Sequence, residues 1–152
     1  MTISTGPAPP APVPDEDSAP YWAALREHRV RLQTCTSCGH RPFPPVPACP
    51  YCGHPETRWE EVQATGSIYS FVTVHRAFDP AFAGDVPYVI ATVDLDAGAR
   101  MVGRLAGAPA IGARVAHEFV DHDTWTELRF RPAAGLPGLW CALIAPDAAG
   151  SG

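Results

Sequence analysis

The stretch Cys35-Thr36-Ser37-Cys38-Gly39-His40, answered by Cys49-Pro50-Tyr51-Cys52-Gly53-His54, decides how this chain is read. Two residues between thiolates let both sulfurs face one ion from a single tight turn. The glycine after each pair supplies a positive φ at no steric cost. Two such knuckles, ten residues apart, make a tetrahedral four-sulfur site of the kind that suits zinc or iron. Zinc is expected here. Rubredoxins hold iron on similar Cys-x2-Cys-Gly and Cys-Pro-x-Cys-Gly knuckles, but they are smaller and set their knuckles much further apart. His40 and His54 follow the knuckles. With Cys35, Cys38, Cys49 and Cys52 available as ligands, both are expected beside the site or in solvent.

Two disulfides are the other use of four cysteines, and they belong to secreted chains. Residues 1–17 contain neither a basic stretch nor an apolar stretch of the export type. Reduced thiols and a cytoplasmic location are therefore expected. Cys141 stands alone in Trp140-Cys141-Ala142, with no neighbouring base or cation to lower its pKa. It reads as a small buried hydrophobe.

The rest of the composition narrows the chemistry. The 152 residues carry 46% hydrophobic and 18% charged side chains, with a net charge of −5. No run approaches the roughly 20 apolar residues that span a bilayer, so no membrane partner is expected. All 11 basic residues are arginines, which removes Schiff-base chemistry and lysine-ended phosphate loops. Charge is divided along the chain. Residues 26–58 hold Arg26, Arg29, Arg31, Arg41 and Arg58 against only Glu27 and Glu56, whereas residues 59–131 are net acidic. A nucleic-acid binder would place a basic face on its main body.

Residues 1–18, with five prolines and Asp15-Glu16-Asp17, cannot bury enough apolar surface to order themselves and read as a disordered leader. Ser18 and Pro20 offer a helix start, with Tyr21, Trp22 and Leu25 on one face. An extended Val30-Arg31-Leu32-Gln33 then leads into the first knuckle. Between the knuckles, Arg41-Pro42-Phe43-Pro44-Pro45-Val46-Pro47-Ala48 is a stiff arm. Strands are predicted over residues 66–75, 88–95, 100–105, 114–120 and 125–130, with turns at Asp96-Ala97-Gly98 and Asp121-His122-Asp123. Five strands with one long connection after the first suggest a small closed barrel of OB type. The expected class is mainly β: a short N-terminal helix and rubredoxin-like zinc ribbon (19–60), a five-stranded OB-fold barrel (61–132) and a C-terminal extension (133–152).

In this order, the two knuckles, Gly66-Ser67-Ile68-Tyr69-Ser70-Phe71, Pro87-Tyr88-Val89-Ile90-Ala91, Asp94-Leu95-Asp96-Ala97-Gly98, Ile111-Gly112 with Val115, and Phe130-Arg131-Pro132 resemble the zinc-ribbon plus OB-fold family that accompanies acyl-CoA enzymes. Its members stand beside thiolases, archaeal hydroxymethylglutaryl-CoA synthase, and the hydratases and aldolases of steroid side-chain degradation. The resemblance implies a structural metal and an accessory subunit whose thiolase-like, aldolase or hydratase partner does the chemistry. Members often carry an Arg in the inter-knuckle arm where this chain has Val46, so any contact made by that Arg is missing.

No nucleophile and base pair with an orienting partner is recognisable, so no catalytic residue is assigned. Trp22, Phe43, His75, Arg76, Phe78 and Phe82 are the candidates to face a partner or an acyl-CoA. His75 and Arg76 end the first strand and would meet a CoA phosphate or a partner carboxylate; the ordinary alternative is a solvated strand end. Phe78 and Phe82 are either interface anchors or a lid folded onto the barrel. The polar group Glu118, Asp121, His122 and Asp123 reads as hairpin-tip chemistry rather than a site. Tyr69 and Phe71 would stack bases in a nucleic-acid OB-fold, but the acidic body favours them as core fillers. The rival functions are a single-stranded nucleic-acid module and a rubredoxin-like iron electron carrier.

Overall fold

The computed structural model describes residues 7–133; Cys141 and nearly all of the C-terminal extension lie outside the described residues. Helix α1, Ala19–Arg26, carries Pro20 in its first turn, where a missing N–H costs nothing. Ser18 was expected to cap this helix and does not. Its amide and hydroxyl both donate to the Asp15 carboxylate, at 2.8 and 2.5 Å, so its side chain is already engaged upstream. The helix ends on His28, whose φ of 55° takes the left-handed place usually held by glycine. The Arg29 amide reaches back to the Ala24 carbonyl and the His28 amide to that of Leu25, closing the last turn.

Strand β1, Arg31–Cys35, pairs antiparallel with β2, Thr57–Glu61, from Arg31 opposite Glu61 to Cys35 opposite Thr57. The knuckles are thus the long loop of a β-hairpin. β2 is a strand that its polar sequence does not announce. Thr-Arg-Trp-Glu-Glu lacks a clean apolar alternation, and its pairing with β1 supplies the order instead.

Strands β3 (Thr65–Val74), β4 (Tyr88–Leu95), β5 (Arg100–Leu105), β6 (Arg114–Asp121) and β7 (Thr126–Pro132) close a barrel in the order β3-β4-β5-β7-β6. The pairs are antiparallel except β5 with β7, which meet in parallel at Leu105 and Phe130. This is the five-stranded OB arrangement, and the strands agree with the sequence prediction to within two residues. The first strand closes it: Gly66 lies opposite Leu95 of β4 and opposite Val115 of β6. A bulge between Ile68 and Ser70 bends β3 so that it can serve both neighbours.

Tyr69 and Phe71 do not fill the core as expected, and the bulge accounts for Tyr69 alone, since Phe71 pairs with the buried Ala91. Tyr69 is the extra residue and is 53% exposed, and Phe71 sits 36% exposed. The barrel is filled instead by Ile68, Val93, Met101, Val115 and Phe130, all nearly inaccessible. This core continues without a break into Tyr21 and Leu25 of the helix, Val30 just before β1, and Leu32 of β1, so the ribbon is packed onto the barrel.

One polar network locks that arrangement. Glu60 accepts from Arg58 (2.6 Å), Arg41 (2.6 Å) and Thr34 (2.8 Å), while Arg41 also donates to the Ala97 carbonyl in the β4–β5 turn. The bonds from Arg58, then those from Arg41 and Thr34, hold the Glu60 carboxyl at about 2. A depressed folded-state value means stabilisation that is complete above the unfolded value of 4.5 and vanishes as pH falls through about 2. Glu60→Gln is therefore expected to lower the melting temperature at pH 7, with the gap to wild type closing between pH 4.5 and 2. Comparing both proteins at each pH cancels acid release of metal, which is common to them.

Candidate functional site

The two knuckles are built alike. In the first, the Gly39 amide donates to the Cys35 carbonyl (3.0 Å) and the Cys35 amide to that of His40 (2.9 Å). In the second, Gly53 donates to Cys49 (2.8 Å) and Cys49 to His54 (2.9 Å). Gly39 and Gly53 have φ of 74° and 78°, the left-handed turn that the Cys-x2-Cys-Gly pattern calls for. The Sγ atoms of Cys35, Cys38, Cys49 and Cys52 converge, all four lying within 4.8 Å of one another. Cys35 to Cys52 and Cys38 to Cys49 are each 3.6 Å apart. A tetrahedron with metal–sulfur bonds of about 2.3 Å has sulfurs about 3.8 Å apart, so this donor set fits such an ion. Amides of Cys38 and Ser37 pull the Cys35 thiol down to about 6, whereas burial and the neighbouring sulfurs of Cys52, Cys49 and Cys35 push the Cys38 thiol up to about 12. Four thiolates this close repel one another strongly, and a divalent cation offsets that repulsion.

Cys35 and Cys49 are buried, Cys38 and Cys52 exposed, so the centre shows one edge to solvent. His40 lies beside it, Nδ1 3.3 Å from the Cys38 sulfur, with its ring stacked on Tyr51 at 4.3 Å. The inter-knuckle arm is pinned at Val46, whose amide and carbonyl both bond the buried Gln33 side chain, at 3.0 and 3.1 Å.

The aromatic candidates separate into two groups. Trp22 and Phe43 are half-buried and packed within the chain: both rings meet Tyr21 edge-to-face, at 5.2 and 5.4 Å, and Trp22 also meets Trp125 at 6.2 Å. The loop over residues 75–87 holds the second group. Asp79 caps a single 3-10 turn, Pro80–Phe82, by accepting from the Ala81 amide. Phe78 points outward, 91% exposed, with the Arg76 guanidinium 5.8 Å from its ring, and His75 is also exposed. Phe82 folds back to Tyr88 at 6.2 Å. One phenylalanine of the pair is therefore offered to solvent and the other is laid on the barrel.

Sequence reasoning missed the surface beside them. Val72 pairs with Ile90, Ile90 with Arg104, Ser70 with Thr92, and Thr92 with Val102, so these residues share the outer face of β3, β4 and β5. Val72 and Val102 are 59% and 57% exposed. At one end of the face Arg100 lies 3.6 Å over the Tyr69 ring and is held bidentate by Asp94. At the other Arg104 lies over Tyr88 and pairs with Asp85. The signal was the β-branched residues at alternate positions, but both faces of β3 carry apolar side chains and periodicity alone cannot tell them apart.

In the Glu118 to Asp123 group, bonds at the hairpin tip are joined by one to the turn after α1. Asp121 accepts from Thr126 and pairs with His28, whereas His122 meets Glu127 and stacks on Trp125. Among the described residues the four cysteines are the one cluster positioned to hold a metal. Also among them, no helix is long and apolar enough to cross a membrane.

Comparison with known proteins agrees with this geometry. A family model described as the ChsH2 rubredoxin-like zinc ribbon domain matches residues 22–58, and one described as the ChsH2 C-terminal OB-fold domain matches residues 59–120. A Thermomonospora curvata protein named "Probable enoyl-CoA hydratase alpha subunit" is 37% identical over 131 residues, covering 82% of this chain. A DUF35 domain-containing scaffold protein of Methanocaldococcus jannaschii is 37% identical over 87 residues, covering 55% of this chain. The chain spans 40% of the length of the first and 60% of the second. A chain of the solved Ltp2-ChsH2(DUF35) aldolase is similar with a TM-score of 0.71 at 34% identity, covering 81% of this chain and 99% of that one.

Proposed function

We propose, from the premise that this chain belongs to the ChsH2 family of rubredoxin-like zinc ribbons joined to OB-folds, that it is a non-catalytic, zinc-holding subunit of an acyl-CoA-processing complex. Its partner is a thiolase-like enzyme or the related aldolase or hydratase subunit. The partner does the chemistry, and this chain organises it and its acyl-CoA site. The observation that carries the reading is the set of exposed hydrophobic side chains on the outer face of β3, β4 and β5 and in the loop that follows β3. Val72, Val102, Tyr69 and Phe78 are each more than half exposed, and aromatic and aliphatic side chains gathered on one sheet mark an interaction surface. The relatives named as a hydratase subunit and a scaffold, and the aldolase-complex neighbour, support a subunit role.

Zinc rather than iron is proposed for the S4 site because its role is to fix a loop, which needs no redox change. A zinc site is colourless, and an iron site would be red and reducible, so the spectrum and elemental analysis of the purified protein decide between them.

Exposed Tyr69 on the first barrel strand is the one feature that favours nucleic acid. One face of its ring, however, is covered by Arg100, and that guanidinium is already paired with Asp94, so the cation beside the ring is not free for a phosphate.

The test is co-purification with a candidate thiolase-like partner. Phe78→Ala removes an anchor that is not needed for folding, since its ring is 91% exposed. An interface aromatic of this kind is worth about 2 kcal/mol, roughly a thirtyfold loss of affinity, with metal content unchanged. Unaltered affinity for the partner would remove this face from the interface, and acyl-CoA turnover by the isolated chain would end the accessory-subunit reading.

A further inference from the structure

Residues 7–14 read Pro-Ala-Pro-Pro-Ala-Pro-Val-Pro. Five prolines fix φ and withhold five amide donors, so the segment cannot join a helix or a central strand. Its low-energy form is the polyproline II helix, which repeats every three residues and needs no internal hydrogen bonds. The burial of the segment follows that repeat. Pro9 and Pro12 are half-buried, whereas the residues around them are exposed, Val13 by 94%.

The surface beside it is aromatic. Trp22 of α1 and Trp125 of the β6–β7 hairpin meet edge-to-face at 6.2 Å, and His122 stacks on Trp125 at 4.3 Å. A groove of about 360 Å³ is lined by Pro12 and Pro14 together with Trp22 and Trp125. A second, of about 330 Å³, lies between Pro9, Ala11, His122 and Trp125. An apolar groove flanked by tryptophans, with a three-residue repeat of prolines along it, is the geometry by which aromatic-lined sites take proline-rich peptides.

We propose that Trp22, Trp125 and His122 form a polyproline II binding site, and that residues 7–14 of the same chain are its ligand, strapped across the ribbon helix and the barrel hairpin. The connection to the helix argues for the chain's own segment over any other. Only residues 15–18 separate the strap from α1, and the Asp15–Ser18 bonds (3.1, 2.8 and 2.5 Å) fold them into a fixed turn. A tether this short gives an effective concentration of about millimolar or more, which a free peptide at micromolar levels does not match. Beneath the strap, Arg26 donates to the Thr124 carbonyl, so the two elements it crosses are already joined.

The test uses the full chain labelled for its indole N–H signals, as wild type and as the Pro9→Gly, Pro12→Gly double variant. The substitutions remove the rings that fix the polyproline form, outside both the barrel core and the metal centre. The Trp22 and Trp125 signals are expected to shift in the variant while Trp59, on β2, stays in place. A synthetic peptide of residues 7–14 at millimolar concentration returns both signals toward their wild-type positions, and leaves wild type itself unmoved. Unshifted Trp22 and Trp125 signals in the variant overturn the proposal, as does failure of the peptide to restore them. Wild-type signals that move with added peptide show an open groove, and signals that move with protein concentration show a second copy's strap; either result overturns the assignment in cis.

Discussion

Replacing Cys38 with Ser is expected to take the metal-to-protein ratio from about one to near zero and to melt both knuckles while the barrel stays closed. A hydroxyl is a poor substitute for a thiolate, and the remaining three sulfurs leave the ion open to solvent at the edge where Cys38 is already exposed. Structural zinc sites supply roughly 10–16 kcal/mol of folding free energy in small zinc domains, far more than the hydrogen bonds inside two short turns return. Hydrogen exchange locates the damage. The amides of Gly39, Cys49 and Gly53, bonded only within the knuckles, lose protection. Those of Ile68, Leu95 and Ala106, bonded within the barrel, keep it. Leu25 and Leu32 belong to the barrel's own core, so α1 and the start of β1 are expected to remain docked. A variant that keeps its metal, or one whose barrel amides exchange together with the knuckles, would refute this division.

Gly66→Ala is expected to destabilise the barrel by about 3 kcal/mol or more, at the upper end of the cost of overpacking. Gly66 is where β3 passes between β4 and β6. A Cβ there would stand 2.8 Å from the carbonyl carbon of Asp94 and from the Leu95 Cα, with the Asp94 oxygen closer still. These are backbone atoms of a paired strand, so nothing yields cheaply. For a chain of 152 residues with one continuous core, each kcal/mol moves the midpoint by about 2–4 °C, which predicts a fall of roughly 6–12 °C in a thermal melt. Gly84→Ala is the control, because nothing lies within 4 Å of a Cβ at that site and the midpoint should hardly move. Equal midpoints for the two variants would mean that the β3 crossing is looser than described.

The parts of this molecule that the sequence made legible are those coded by spacing. A metal centre needs its ligands at fixed intervals, so four cysteines and two glycines identified it without reference to anything distant. The barrel strands were legible because each alternates over several residues and is bounded by turn chemistry. The losses have equally specific causes. Tyr69 was placed inside because a period of two is assumed to run unbroken, and it is the one bulge residue that leaves that period; Phe71 keeps its place opposite Ala91 and is still partly exposed. β2 is held by its partner rather than by its composition. Ser18 looked like a cap until Asp15 claimed its hydroxyl. Arg41 gave no signal at all, since its partners Glu60 and Ala97 lie 19 and 56 residues further on. The exposed face of β3, β4 and β5 was hidden for a related reason: neither side of β3 is polar enough to declare itself the outside.

Cys35 and Thr57 are neighbours across β1 and β2, so the two ends of the knuckle loop are already held together by the hairpin. The strands close the loop as a whole, and within it the metal closes only the arm between Cys38 and Cys49. A loop of this length costs only about (3/2)RT ln n more than a tight turn to bring its ends together, and a two-residue turn could bridge them with no metal. The ion is therefore dispensable to the β1–β2 hairpin itself, and its effect falls on the knuckles and the arm between them. What it secures is the shape of an excursion, the Pro-rich arm with Tyr51 and His40 above it, that would otherwise collapse to a turn's worth of surface. The four sulfurs spend their chemistry on keeping that excursion open.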